Sequence, residues 1–204
     1  SSAGLAIEFD QAQYGGDGAD GISFFLSDGS HELTQTGALG GSLGYGQGQN
    51  GTVPGVEGGY LGVGLDSYGN FLGDFGSLGA GCEVPSPFTS RVSNTVTLRG
   101  PGQGVEGYCL LETTATAPTG PSTLPGSLRV ASPPTADAAV RNVRVTVSPG
   151  DFPTVTVEID FSGTRTAYQT VLSYEMTDRA PATYKFGFSG STGGSRDVHL
   201  IRNV

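Results

Sequence analysis

Apolar and polar residues alternate with a period of two along much of this chain. The pattern is clearest in Ile7/Phe9, Ile22/Phe24/Leu26, Val96/Leu98, Val143/Val145/Val147, Val155/Val157/Ile159/Phe161 and Tyr184/Phe186/Phe188. A strand turns successive side chains to opposite faces, so each run predicts a half-buried β-strand with one face on a core. Turn formers stand between the runs: Tyr14-Gly15-Gly16-Asp17-Gly18, Gly40-Gly41, Gly58-Gly59 and Ser148-Pro149-Gly150-Asp151. Most connections are too short for helical crossovers, which predicts antiparallel pairing. Residues 115–138 form a long Pro/Thr/Ala/Ser-rich stretch with no strong period. They read as a surface excursion within a single domain spanning 1–204, because the strands on both sides share one pattern. The predicted fold class is all-β, two packed antiparallel sheets in a sandwich of jelly-roll type.

Composition narrows this picture. Glycine accounts for 35 of 204 residues, with 12 prolines and no tryptophan, which argues against long helices. There is no Gly-X-Y period and hydrophobic residues make up 36%, so collagen and simple disorder fit poorly. A fold of this length hides roughly 70% of its unfolded surface, enough for one sizeable core. The formal net charge of −9 disfavours nucleic acid and anionic membranes as partners. No apolar run approaches the roughly 20 residues of a membrane helix, so membrane insertion is not expected. The chain opens on Ser1-Ser2-Ala3 without an initiator Met or signal peptide and reads as a processed or excised piece. Cys82 and Cys109 are too sparse for a zinc site. They are compatible with one disulfide, worth about 3–4 kcal/mol by loop entropy, or with two buried thiols.

Candidate chemistry concentrates in Gly62-Val63-Gly64-Leu65-Asp66-Ser67-Tyr68-Gly69-Asn70-Phe71-Leu72-Gly73-Asp74. Two carboxylates and an amide oxygen recur at spacings of four, among glycines that let the backbone turn its carbonyls inward. Hard oxygen donors on one loop suit Ca²⁺ better than a transition metal. The Asp-x-Asp-x-Asn-Gly rhythm and closing Glu of an EF-hand are absent. On spacing alone, a solvated acidic turn stays equally open.

Gly18-Ala19-Asp20-Gly21-Ile22-Ser23-Phe24-Phe25-Leu26, Gly40-Gly41-Ser42-Leu43-Gly44, the Asp66 segment, and Gly187-Phe188-Ser189-Gly190-Ser191-Thr192-Gly193-Gly194 with His199 beyond it resemble, in order, landmarks of the L-type (legume-type) lectins. The match runs from about Ile7 to the C-terminus, and Asn94-Thr95-Val96-Thr97-Leu98-Arg99-Gly100 resembles bacterial members in particular. The resemblance implies a concanavalin-like sandwich with a sugar site built from loops. Asp20, after a cis Ala19–Asp20 peptide, would accept hydrogen bonds from two sugar hydroxyls. Gly41 would donate its backbone N–H, and Asn70 would place its carbonyl on Ca²⁺ and its NH₂ on a sugar oxygen. Tyr68 would give a backbone carbonyl to the metal and its ring to the sugar. Asp66 and Asp74 would complete the metal ligands, and Gly194 and Ser195 would supply the fourth loop, whose shortness resembles mannose/glucose-type members.

Two departures accompany the resemblance. Gly64 stands where many members carry a metal-binding Glu, and no histidine follows Asp74 near Gly81, so the transition-metal site reads as dismantled with calcium alone remaining. Family members also carry several dozen residues and some strands before the position of Ile7. Their absence predicts an open sheet edge, covered by a strand-complementing segment or by a second copy in a homo-oligomer.

Other residues carry less. His199 reads as a strand histidine bonded within the fold, His31 as a loop residue, Arg99 and Arg196 as solvated charges, and Phe24 and Phe25 as core on opposite faces. Asn50-Gly51-Thr52 is a formal sequon in what reads as a turn. Glycoside hydrolases on jelly-roll folds use paired carboxylates. Here Glu158-Ile159-Asp160 and Glu8-Phe9-Asp10 both lack the further glutamate of the Glu-x-Asp-x-x-Glu signature. The function expected from the sequence is therefore a calcium-dependent carbohydrate-binding module of a secreted or cell-surface protein, in adhesion or glycan targeting, and not an enzyme. A structural or protein-interaction module that keeps the fold without the sugar chemistry is the alternative.

Overall fold

In the computed structural model, which describes residues 3–204, the alternating runs are strands; Ser1 and Ser2 lie outside the described residues. In chain order these are β1 (Leu5–Tyr14), β2 (Gly21–Asp28), β3 (Gly59–Asp66), β4 (Thr95–Arg99), β5 (Gly102–Gln103), β6 (Glu106–Gly107), β7 (Leu110–Thr113), β8 (Arg129–Val130), β9 (Val140–Val147), β10 (Thr154–Asp160), β11 (Gln169–Glu175), β12 (Tyr184–Ser191) and β13 (Val198–Arg202). One sheet runs β11-β10-β9-β1-β13 and the other β12-β2-β3-β4-β7. Pairing is antiparallel except where β8 lies parallel to β1 at Gln13 and Tyr14, just past the register of β1 with β9. The inward residues of the alternating runs, among them Phe9, Ile22, Phe24, Leu26, Val96, Leu98, Val143, Val145, Val155 and Val157, form the core between the sheets.

β3 is a central strand that the alternation hides. Its core-facing residues Leu61, Val63 and Leu65 are fully buried, but glycines occupy the positions between them. A Cβ on Gly62 would fall 2.3 Å from the ring of Tyr45, and one on Gly64 would fall 2.3 Å from the ring of Phe71. These glycines let loop aromatics lie flat on the outer face of the second sheet. There they build another apolar cluster of Phe25, Leu43, Tyr45, Val56, Phe71, Leu78 and Tyr108. Phe24 and Phe25 therefore serve two cores, one on each face of β2. The loops that carry the candidate site are anchored by apolar burial of their own.

The 115–138 excursion is pinned at two points. Leu128 is buried in the main core, and the Asn94 side chain donates to the Gly126 carbonyl (3.0 Å) while accepting from the Leu128 N–H (2.8 Å). Cys82 and Cys109 are joined in a disulfide. Phe186, expected on a half-buried strand, is 47% exposed because β12 is the margin of its sheet.

Asp160, at the end of β10, is buried and organises the turn that follows. Its carboxylate accepts from the Ser162 N–H (2.7 Å) and hydroxyl (2.6 Å), the Thr166 N–H (2.9 Å) and the Ala167 N–H (3.0 Å). Burial works to raise its pKa, but these hydrogen bonds outweigh it and hold the group well below the usual carboxylate range. A lowered folded pKa stabilises the native state above the unfolded value and loses that contribution as the pH falls through the folded one. Asp160→Ala is therefore predicted to cost about 2–4 kcal/mol at neutral pH by leaving buried N–H groups unpaired. In denaturant melts, the gap from wild type should shrink steadily below about pH 4.

Candidate functional site

At one end of the sandwich the loops between strands are tied together through β12. The Asp20 N–H donates to the Ser191 carbonyl (2.8 Å), and the Ser191 hydroxyl accepts from the Gly40 N–H (2.5 Å). The Ser189 hydroxyl donates to the Leu43 carbonyl (2.7 Å). The Asp20 carbonyl in turn accepts from the Tyr68 N–H (2.9 Å) and the Ser67 hydroxyl (3.1 Å). Beyond β12, the Asp17 N–H donates to the Arg196 carbonyl (2.8 Å), and the Arg196 N–H returns to the Asp17 carboxylate (2.5 Å). Arg129 closes the group by pairing with Asp197 and donating to the Gly16 carbonyl.

These ties enclose Asp20. The Ala19–Asp20 peptide is cis, and the Asp20 residue is only 5% exposed. Its Oδ2 is buried without a hydrogen-bond partner among the described residues, and burial raises its pKa. Gly193 lies over the carboxylate, 3.7 Å from Oδ2 to the position a Cβ would take. Gly41 lies against Asn70, where a Cβ would come to 2.6 Å of the Asn70 Cβ. The Asn70 amide has no protein partner among the described residues. Gly194 faces open space and Ser195 is half-buried beside Asp17. The structure thus sets the 193–195 turn against Asp20 and Gly41 against Asn70, on loops tied together through Ser191: a buried unpaired carboxylate oxygen and an unpaired amide among glycines.

Three of the four proposed metal ligands have hydrogen-bond partners within the chain. Asp66 is fully buried, and its two carboxylate oxygens accept from the Gly69 N–H (2.6 Å) and the Phe71 N–H (2.7 Å) of its own loop. Burial pushes its pKa up to about 7 despite those bonds, and the nearby Asp20 charge adds to the rise. The Tyr68 carbonyl accepts from Arg91 (3.1 Å) and from the Ser93 hydroxyl (3.0 Å), and the Arg91 guanidinium stacks on one face of the Tyr68 ring, 4.1 Å from its centroid. Asp74 is turned to Arg99 (3.1 Å) and the Ser86 N–H (2.7 Å). Asp66, the Tyr68 carbonyl and Asp74 thus each accept hydrogen bonds from internal donors. Among the described residues no three of His, Cys, Asp and Glu gather as a metal site. At Gly64, the space over the glycine holds the ring of Phe71.

Arg99 corrects an expectation. It is fully buried, donating to the carbonyls of Phe71, Gly73 and Tyr108 (each 2.7 Å) as well as to Asp74. The sequence also assigns no role to Ser189, Ser191, Arg91 and Ser93. The serines alternate on β12 as a second polar row would, which is the one signal that they face the loops. His199 is on β13 as expected, but its Nε2 is buried without a partner, and burial lowers its pKa.

No protein-family model matches the chain, and no curated protein matches its sequence. Among solved structures it is similar to peanut lectin with a 9mer peptide, at 21% identity and a TM-score of 0.51, over 98% of this chain and 68% of that one. It is also similar to lectin II from Ulex europaeus, at 15% identity and a TM-score of 0.51, over 96% and 68%. Lectin UEA-II complexed with galactose gives 14% identity and a TM-score of 0.50 over the same shares. At these identities the likeness establishes the fold alone, the β-sandwich shared with these lectin structures.

The unpaired Asp20 carboxylate has a consequence for stability. A carboxyl whose pKa is raised on folding stabilises the native state fully below the unfolded value and loses that contribution as the pH rises through the folded one. Asp20→Asn, which removes the buried charge, is predicted to melt a few degrees above wild type at about pH 7, with the difference vanishing near pH 3. Paired melting curves across that range check it.

Proposed function

We propose that this chain is a carbohydrate-binding module of a secreted or cell-surface protein, acting in adhesion or glycan targeting through the loop site around Asp20. The observation that carries the reading is the buried, unpaired Asp20 Oδ2. Buried polar groups in folded proteins are nearly always paired, and a carboxylate oxygen left unpaired at a loop cluster is suited to a ligand that brings hydroxyl donors. Asn70 and the Gly41 N–H would add a donor each, and Gly194 and Ser195 would form the rim. One face of the Tyr68 ring is covered by Arg91, and the sugar would meet the other. The short 193–195 turn favours a mannose- or glucose-type ligand. In this reading the chemistry of the site is recognition, with Asp20, Asn70 and the Gly41 N–H as its polar groups.

The calcium-dependent form of this reading would use Asp66, Tyr68, Asn70 and Asp74 as ligands; the oxygens of Asp66, Tyr68 and Asp74 already accept internal hydrogen bonds, and the reading does not rest on the metal. At the margins of the two sheets, β12 and β13 expose Phe186, Val198 and Leu200, and a strand-complementing segment or a second copy would add there.

Among the described residues no helix is long and apolar enough to cross a membrane.

Millimolar monosaccharide binding is only about −4 kcal/mol, and each hydrogen bond to an ionised group is worth roughly 1.5–3 kcal/mol. Asp20→Ala is therefore predicted to abolish detectable binding of mannose, glucose or galactose by calorimetry while keeping a cooperative melt. Wild-type binding that survives in Asp20→Ala would move the sugar site elsewhere. A wild type that binds nothing on a broad glycan array would favour a structural or protein-interaction module.

A further inference from the structure

The segment from Asp66 to Asp74 must be held rigid if Tyr68 and Asn70 are to meet a ligand, and a loop this rich in glycine does not hold itself. Calcium would do so by drawing six to eight oxygens to within about 2.3–2.6 Å of one point. The oxygens here point at different donors instead. Those of Asp66 face inward, to the N–H groups of Gly69 and Phe71. The Tyr68 carbonyl has both lone pairs in use, on the Arg91 guanidinium and the Ser93 hydroxyl. Asp74 faces a cation already present, the buried guanidinium of Arg99, which also takes the Phe71 and Gly73 carbonyls at 2.7 Å.

A guanidinium is a fixed fork of five donors and no acceptors, so it can gather carbonyls and a carboxylate much as a metal ion does. The two arginines bracket the loop. Arg91 grips the Tyr68 carbonyl and stacks on the Tyr68 ring, while Arg99 grips 71–74 from beneath. We propose that Arg91 and Arg99 hold the 66–74 loop in the place of a calcium ion, so that Tyr68 and Asn70 are positioned for sugar without a metal. The inference deepens the carbohydrate-binding reading and rests on it for the purpose of the loop. The arginines act as positioning residues, since neither is assigned a contact with the ligand.

The test uses the full chain, stripped of metal by dialysis against chelator. Calorimetric titration with CaCl₂ should show no saturable binding below about 1 mM, the range of extracellular modules. The melting temperature should be the same in chelator and in millimolar Ca²⁺. A one-to-one calcium isotherm would overturn the proposal, as would a rise of roughly 5–10 °C, the shift expected when a ligand saturates at about a hundred times its Kd. Neither readout involves a sugar, so both decide the proposal even if the carbohydrate reading fails. Arg91 is exposed, so Arg91→Gln should fold. It should speed amide exchange at residues 68–70 and weaken mannose binding by about tenfold or more, with no recovery in Ca²⁺, while Arg91→Lys keeps part of the affinity. Wild-type exchange at 68–70 in Arg91→Gln would contradict the role given to Arg91.

Discussion

A fully buried guanidinium is the constraint around which the loop end of this molecule is arranged. Removing such a charge from water costs several kcal/mol unless its donors are met, and Arg99 meets them with three carbonyls and one carboxylate. Burial brings its pKa down to about 10 while Asp74 works the other way, so the group stays charged at neutral pH. The acceptors come from separate parts of the chain: Phe71 and Gly73 in the loop after β3, and Tyr108 just before β7 and beside the disulfide-bonded Cys109. Holding them together sets Phe71 on Gly64, and that ring fills the outer face of β3. From there the order passes through Asp66 to Tyr68, and through the Tyr68 N–H to the carbonyl of Asp20.

Against this background of paired groups, Asp20 stands out. Its Oδ2 is one of eight buried side-chain polar atoms without a partner among the described residues, and of these it is the carboxylate oxygen, left unpaired at a cost in stability. Proteins tolerate such costs where function needs them. Pre-organisation of the surrounding loops by internal hydrogen bonds also reduces the entropy lost when a ligand arrives.

Much of the fold was legible because the alternation of β1, β2, β4, β9 and β10 is set by one core, and burial follows alternation directly. β3 was not, since Gly62 and Gly64 erase the contrast between its faces; their purpose is visible only once Tyr45 and Phe71 are seen lying on them. The loop around Asp20 was legible through its motif and its resemblance to lectins. The internal partners of Asp66, Tyr68 and Asp74 were not legible, because they are backbone N–H groups, which no sequence displays, a serine hydroxyl and arginines distant in the chain. Arg99 looked solvated because it shares a strand face with Thr95 and Thr97, a face that in an isolated sheet would meet water. Here loops from elsewhere cover that face, and all three residues are buried.

The central claim is that the loop site around the Asp20 carboxylate, proposed above, receives a sugar. Amide chemical shifts followed by NMR during a mannose titration of the full chain, in chelator, test it most directly. The account predicts saturable shifts confined to Asp20, Gly41, Asn70 and residues 193–195, with the strands of the first sheet unmoved. Shifts that saturate at another surface, while these amides stay still, would contradict it.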